Sequence, residues 1–338
     1  MGKKALIGLS LGELELLTKE LGMPSFTAKQ ISDWLYKKKV SSIDEMSNLS
    51  LSHRDKLKEQ YTLGRTSFSK KQESSDGTIK YLFPVNNTHF IETVYIPDKE
   101  RATLCVSSQV GCKMNCLFCM TGKQGFSGQL SSSDIINQIL SIPESDKLTN
   151  IVFMGMGEPL DNTEELFKAL EILTADYGFA WSPKRITVST IGVIPGLKSF
   201  LEKSQCHLAI SIHSPFHDER LSLMPIEKAY PIQKVVELIK QYDFSHQRRV
   251  SFEYIMFGGL NDDLKHTRAL AELLSGIPCR VNLIKYHTIP GVDLPASNPE
   301  AMIVFRDYLN SRGIICTIRS SRGEDILAAC GMLSTKEK

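Results

Sequence analysis

From about residue 100 onward, short apolar runs recur along the chain: TLCVSS, NIVFMG, RITVST, HLAISI, VSFEYIM, RVNLIKY and, near the end, IICTIRS. Between them lie stretches with apolar residues at helical spacing, such as Ser133 to Ser141, Glu164 to Thr174, Ile232 to Tyr242 and Asp262 to Leu274. Strands buried on both faces read as continuous apolar runs, and strands linked by helices pair in parallel through crossovers. Six successive strand-helix units therefore predict an α/β chain whose parallel sheet curls into a partial (βα)6 barrel. In such an architecture the functional residues lie in the loops that follow the strands.

The first ninety residues have a different pattern. Leu11 to Leu21 is helical in spacing, Pro24 breaks it, and Phe26, Ile31, Trp34 and Leu35 fall on one face of a second helix. Ser41 to Tyr61 predicts one or two more. The alternating runs TSFSKKQ, TIKYLFPV and HFIETVYIP, broken at Asp76-Gly77 and Asn86-Asn87, predict a small antiparallel hairpin unit. The expected division is an N-terminal helical domain over 1–64, a β-hairpin linker unit over 65–98, and the barrel core over 99–338.

The chain is 42% hydrophobic and 23% charged, the balance of a globular protein and not of a disordered or fibrous one. Glu13 and Glu15 interrupt the apolar start before a secretory core or membrane span can form, and no later run reaches membrane length, so a cytoplasmic protein is expected. Thiols stay reduced in that compartment, which makes the eight cysteines ligands, catalysts or core residues in preference to structural disulfides. Residues 1–90 hold 14 Lys and Arg against 10 Asp and Glu, a balance of +4, so the remaining residues carry −2 of the total +2. That basic bias is weak, and solvated surface accounts for it as readily as a polyanionic partner does.

Directly after the first core run comes Cys112-Lys-Met-Asn-Cys116-Leu-Phe-Cys119, three thiols within one loop. Such a loop can wrap a cubane iron-sulfur cluster and leaves one iron without a protein ligand. An open iron can chelate a small molecule through an amine and a carboxylate. A structural zinc site is the alternative, but zinc wants four closed ligands and no fourth Cys or His follows nearby. The second run ends in Gly155-Met156-Gly157-Glu158-Pro159, where exposed glycine backbone and a carboxylate can hold the amino end of such a molecule. Cys206, Cys279 and Cys316 read as core residues.

Taken together, CVSSQVGCKMNCLFC, GMGEP, AISIH and AACG resemble the radical S-adenosylmethionine RNA methyltransferases of the RlmN and Cfr group, over nearly the whole chain. The three-cysteine loop marks the superfamily, and the additional thiols Cys105 in RATLCVSSQ and Cys330 in ILAACGM mark the group. The resemblance implies one 4Fe-4S cluster on Cys112, Cys116 and Cys119. It implies S-adenosylmethionine contacts from Gly157, Glu158, Ser189, Ser211, Ile212, His213 and Asn282. Cys330 is implied to carry the methyl group, Cys105 to release the product through a transient disulfide, and Glu92 to act as general base. Two departures from the group's usual pattern stand out: LIKYHTIPG lacks the Asn-Pro after the aromatic, and AACGML replaces AACGQL.

By the same resemblance the substrates are adenosine 2503 of 23S rRNA and adenosine 37 of some tRNAs, methylated at C2 and gripped by the N-terminal helices and hairpin. A flavodoxin or ferredoxin would supply electrons, and a monomer without membrane attachment is expected. C2 of adenine is electron-poor and cannot attack an activated methyl, which is why radical chemistry is needed there. Arg319, Arg322, Lys184 and Arg185 are candidates for phosphate contacts, with plain surface charge as the default. The other readings are C8 methylation, a radical activase of a protein partner, and a noncatalytic RNA-binding protein whose cysteines hold a structural metal.

Overall fold

The computed structural model describes residues 3–86, 88–244 and 249–335. After a short strand β1 (Lys4–Ala5), helix α1 (Leu11–Glu20) starts at a reciprocal cap. The Ser10 hydroxyl accepts from the Glu13 N–H, and the Glu13 carboxylate accepts from the Ser10 N–H at 2.8 Å. Past Pro24, α2 (Thr27–Ser32) runs on into a wide turn over Asp33–Lys37, and α3 (Leu51–Gln60) leads to β2 (Tyr61–Thr62), parallel to β1. Leu14, Leu17, Ile31 and Leu35 are buried inside this module. It is fastened to the core by polar contacts: the Lys39 ammonium lies 2.6 Å from Asp146, and the Ser132 hydroxyl donates to the Gly8 carbonyl at 2.9 Å.

The hairpin strands β3 (Lys70–Glu73), β4 (Ile79–Val85) and β5 (His89–Asp98) follow, then β6 (Arg101–Cys105). Of the expected Asn86-Asn87 turn, Asn87 lies outside the described residues. The hairpin is an extension of the core sheet itself, because β5 pairs antiparallel with β6. A small ribbon of β7 (Gln109–Gly111) and β8 (Phe126–Gln129) encloses the cysteine loop and α4 (Met120–Gln124).

The crossovers then run α5 (Ser132–Leu140), β9 (Asn150–Phe153), α6 (Thr163–Thr174), β10 (Ile186–Thr190), α7 (Ile194–Lys203), β11 (His207–Ser211), α8 (His217–Leu223) and α9 (Ile232–Ile239). They continue with β12 (Val250–Met256), α10 (Leu264–Leu273), β13 (Cys279–Lys285), α11 (Pro299–Ser311) and β14 (Ile315–Arg319).

All seven expected core strands are present, and among the described residues they pair in sequence order, β6-β9-β10-β11-β12-β13-β14, every neighbour parallel. With β5, β4 and β3 the sheet has ten strands, and its edges, β3 and β14, do not meet. The architecture is an open α/β barrel. Ile151, Phe153, Ile186, Val188, Phe252, Tyr254, Val281 and Leu283 are buried between the sheet and its helices, with Tyr254 against Phe305 of α11, and the residues alternating with them, such as Val152, Ser189, Glu253 and Ile284, face the interior. Sequential parallel strands put all their C-terminal ends on one rim, where the cysteine loop also lies.

Candidate active site

A cleft of about 1150 Å³, counted out to its mouth, opens on that rim. Cys112, Cys116 and Cys119 form one part of its wall, Cys105 and Cys330 another, and Gly157, Glu158, Ser189, Ser211 and His213 the floor between them. The fold thus brings Cys105, at the end of β6, together with Cys330, which lies beyond the last strand. All eight cysteines are free thiols, so the implied disulfide between this pair is not formed in the structure. Cys206, Cys279 and Cys316 do not line the cleft.

The cysteine loop owes its shape to backbone constraints. Gly111 has φ +73°, and a Cβ there would lie 1.7 Å from the Gly125 carbonyl, so only glycine lets β7 approach the end of α4. The Cys112 N–H donates to that same Gly125 carbonyl. Burial pushes the Cys112 thiol up to about 12, burial together with the field of its two companions raises Cys116, and burial with the field of Cys330 raises Cys119. Three buried thiols that repel one another as anions are suited to a cationic iron centre, which would reverse those shifts.

The two glycines after β9 line the cleft and are also required by packing. A Cβ on Gly157 (φ +100°) would sit 2.5 Å from Gln109, and one on Gly155 would sit 2.7 Å from the Ser107 hydroxyl. Both positions are glycine because this turn packs against the segment that follows β6. Glu158 is anchored there: its carboxylate accepts from the Leu160 and Ile191 N–H groups, each at 3.0 Å, and its own N–H donates to Gln109. Burial nevertheless raises its acid to about 7.

His213 takes a left-handed backbone (φ +56°) and is buried edge-on to Phe118. Its Nδ1 accepts from the Ile255 N–H, and burial, helped by Arg220, lowers it to about 3. The ring is therefore neutral with its proton on Nε2.

Three expected site residues lie elsewhere. Ile212 is fully buried behind the wall, its N–H bonded to the Glu253 carbonyl. Asn282 sits within β13 with both ends of its amide engaged, donating to Glu253 and accepting from Thr317. Glu92, fully buried on β5, is 3.3 Å from the Lys80 ammonium, and its other oxygen accepts from the Ser334 N–H at 3.0 Å. It stands under the segment that carries Cys330. Lys184 and Arg185 precede β10, at the opposite end of the strand from the cleft.

Arg319 does reach the cleft, 3.3 Å from the Glu253 carboxylate, and Arg322 pairs with Asp98. Glu253 is a wall residue that the sequence pattern does not single out. A charged residue inside the apolar run VSFEYIM was the one available signal.

An open parallel barrel with a three-thiol loop at its rim defines a radical S-adenosylmethionine protein, and residues 106–271 match the model of the Radical SAM superfamily. Residues 4–63 match a second model, the ribosomal RNA large subunit methyltransferase N-terminal domain. The chain is 64% identical to a probable dual-specificity RNA methyltransferase RlmN of Parabacteroides distasonis, covering 98% of this chain and 97% of that one. It is 41% identical to the dual-specificity RNA methyltransferase RlmN of a Nitratiruptor species, over 96% and 97%. A crystallised radical SAM methyltransferase from Sphaerobacter thermophilus superposes with a TM-score of 0.92 at 37% identity, over 98% and 99% of the two chains. The chain belongs to the RlmN family of radical S-adenosylmethionine methyltransferases.

Proposed function

We propose that this enzyme methylates C2 of adenosine in RNA, at adenosine 2503 of 23S rRNA and adenosine 37 of some tRNAs, with Cys330 as the methyl carrier. The observation that carries this reading is the meeting of Cys105, Cys330 and the three-thiol loop in one cleft, although 225 positions separate the first pair in sequence. The full-length relatives named as dual-specificity RNA methyltransferases support the substrate class.

Cys112, Cys116 and Cys119 would hold the 4Fe-4S cluster, and Glu158, Gly157, Ser189, Ser211 and His213 would hold S-adenosylmethionine beside it, with Ile212 and Asn282 supporting from behind. When bound, these groups supply a methyl group and one-electron chemistry able to attack an electron-poor ring carbon. Cys330, exposed on its segment, presents the carried carbon to the ring. Cys105, fixed on β6, then attacks the Cys330 sulfur as a thiolate; the sulfur-sulfur bond forms as the bond from that sulfur to the carried carbon breaks, and the carbon leaves with the electron pair and takes up a proton as the product's methyl group. Glu92 takes the ring proton at a carboxylate oxygen once the Ser334 N–H releases it.

In this reading 1–64 and the 65–98 hairpin grip RNA by shape and phosphate contacts, while 99–338, with Glu92 contributed by the hairpin, performs the chemistry on a base freed from its stack. A flavodoxin or ferredoxin reduces the cluster, and the enzyme acts as a cytoplasmic monomer. The test is mass analysis of rRNA and tRNA from cells with and without the gene. Loss of 2-methyladenosine from both RNAs is expected, and loss of 8-methyladenosine in its place would move the reaction to the other ring carbon.

A further inference from the structure

Arg220, the central residue of α8, is the largest fully buried side chain among the described residues. A buried guanidinium is costly to desolvate and persists only where every donor is used. Here the use is specific. Nε donates to the Ile212 carbonyl at 3.0 Å, and Nη2 to both the Ile191 carbonyl at 2.8 Å and the Ser211 carbonyl at 3.1 Å. Nη1 pairs with Glu227, equally buried, whose carboxylate also accepts from the Ile232 N–H at the start of α9 and meets His217.

Ile191 follows β10, whereas Ser211 ends β11 and Ile212 follows it. The ends of these two strands and the loops after them carry Ser189, Thr190, Ile191, Ser211 and His213 into the cleft, and the Ile191 N–H is itself a donor to Glu158. One side chain therefore ties together, from behind, two adjacent walls of the pocket. The helix that carries it also touches the cysteine loop: the N–H of Leu117, next to Cys116, donates to the carbonyl of Leu223 at the end of α8 at 2.8 Å. Arg220 lies one turn before Leu223, so its charge stands behind that loop.

We propose that Arg220 is a positioning residue of the cofactor site, clamping the loops after β10 and β11 in register and holding a fixed positive charge behind the three-thiol loop. The inference rests on the reading that the loop holds a 4Fe-4S cluster and the pocket S-adenosylmethionine. A planar fork with donors on three nitrogens can serve three carbonyls at two strand ends at once, whereas the three donors of lysine radiate from one nitrogen and cannot span them. The charge lowers the energy of the cluster's more negative, reduced state.

The two roles separate by substitution in anaerobically reconstituted protein. For wild type, iron content and equilibrium S-adenosylmethionine binding are measured first; absence of either overturns the reading beneath the inference, and the inference with it. Arg220→Lys keeps the charge and loses the fork. We expect full iron, a wild-type midpoint potential by electron paramagnetic resonance titration, and S-adenosylmethionine binding weakened on the order of tenfold, as loss of a hydrogen bond from a charged donor implies. Arg220→Gln should weaken binding likewise and also shift the potential to more negative values. Should the orphaned Glu227 prevent that variant from folding, Arg220→Gln/Glu227→Gln removes the uncompensated carboxylate; it carries the same expectation for binding and a smaller shift of potential in the same direction, since both charges of the pair are then gone. Wild-type cofactor affinity in Arg220→Lys, together with an unmoved potential in the folded glutamine variant, would overturn the assignment and leave Arg220 as part of the scaffold alone.

Discussion

Cys105 and Cys330 share a cleft but are held in it by opposite means. Cys105 ends β6 and is paired on both sides, with Val94 of β5 and Val152 of β9, so its position is set by the sheet ladder. Cys330 belongs to no strand or helix. Its neighbours Gly331 and Leu333 are held through their carbonyls by the Met120 N–H at 2.8 Å and the Thr121 hydroxyl at 2.7 Å, and Gln124 accepts from the Thr335 N–H. On the other side, Lys80 donates to the Leu327 carbonyl, Asp76 accepts from the Gly323 N–H, and Asp325 accepts from the Ser74 hydroxyl. A ladder strand opens only with the sheet, whereas a ring of separate hydrogen bonds can be let go piece by piece. That contrast suits a thiol that must stay in place beside one that must travel with its cargo.

Replacing the two sulfurs is the strongest way to break the comparison. Cys330→Ala should abolish methyl transfer to RNA while iron content and reductive cleavage of S-adenosylmethionine persist, since the cysteine loop is untouched. Cys105→Ala should still react with RNA but accumulate a covalent protein-RNA adduct, visible as a retarded band in a denaturing gel. Free product at the normal rate from Cys105→Ala would remove its assigned role. Burial pushes the Cys105 thiol up to about 12, so alkylation of the folded protein near pH 8 should mark Cys330 first.

The next largest effect concerns what holds the Cys330 segment. Lys80→Met removes the donor to Leu327 and leaves the buried Glu92 without its ammonium partner, and breaking such a pair costs about 3–5 kcal/mol. Much of that cost should fall on the segment over 323–335, because Glu92 also bonds Ser334. Alkylation of Cys330 should speed up severalfold and RNA methylation should slow, with alkylation of Cys105 unchanged. Equal acceleration at both thiols would mean that the sheet, and not the segment, had loosened.

These regions also differ in how readable they are from sequence. The seven core strands are legible because buried parallel strands write themselves as apolar runs, and the three-thiol loop because metal chemistry fixes its spacing. Helices α7 and α11 are not, since Pro195 and Pro299 look like breakers, yet proline at the first turn forfeits only an N–H that has no helical partner. Glu92 reads as a residue of a solvated hairpin and is fully buried, because the hairpin continues the core sheet and the chain's end folds over it. The joint use of Arg220 by two loops has no sequence signature at all, as its partners are backbone carbonyls, which every residue possesses. Local chemistry is written locally; contacts made through the fold are not.

On the fixed side of the cleft, Glu158 supplies a graded test. Its acid is raised to about 7 by burial, and an ammonium group would bind its ionised form. Affinity for S-adenosylmethionine should therefore fall as pH drops through 7, by about tenfold per unit at the limit, and level off above it. Glu158→Gln should bind weakly with no such slope. A slope that survives in the glutamine variant would assign the titration to another group.

The smallest expected effect lies at the far end of the Cys330 segment. Burial works to raise the Asp76 acid, but hydrogen bonds from Thr78, Gly323 and Ser74 outweigh it and hold the group at about 2, below the ordinary 3.8. For a carboxylate lowered in the folded state, the stabilisation is complete above 3.8 and is lost as pH falls from there towards 2. Between pH 5 and pH 3 the amides of 320–328 should thus gain hydrogen exchange, after correction for the intrinsic rate, before those of β5 and β6 do. Asp76→Asn should show that looser exchange already at pH 5, with little further change on acidification. If β6 and the 320–328 segment loosen together in wild type, Asp76 is not what fastens one to the other, and the distinction between a thiol on a ladder and a thiol on a tether fails at its weakest joint.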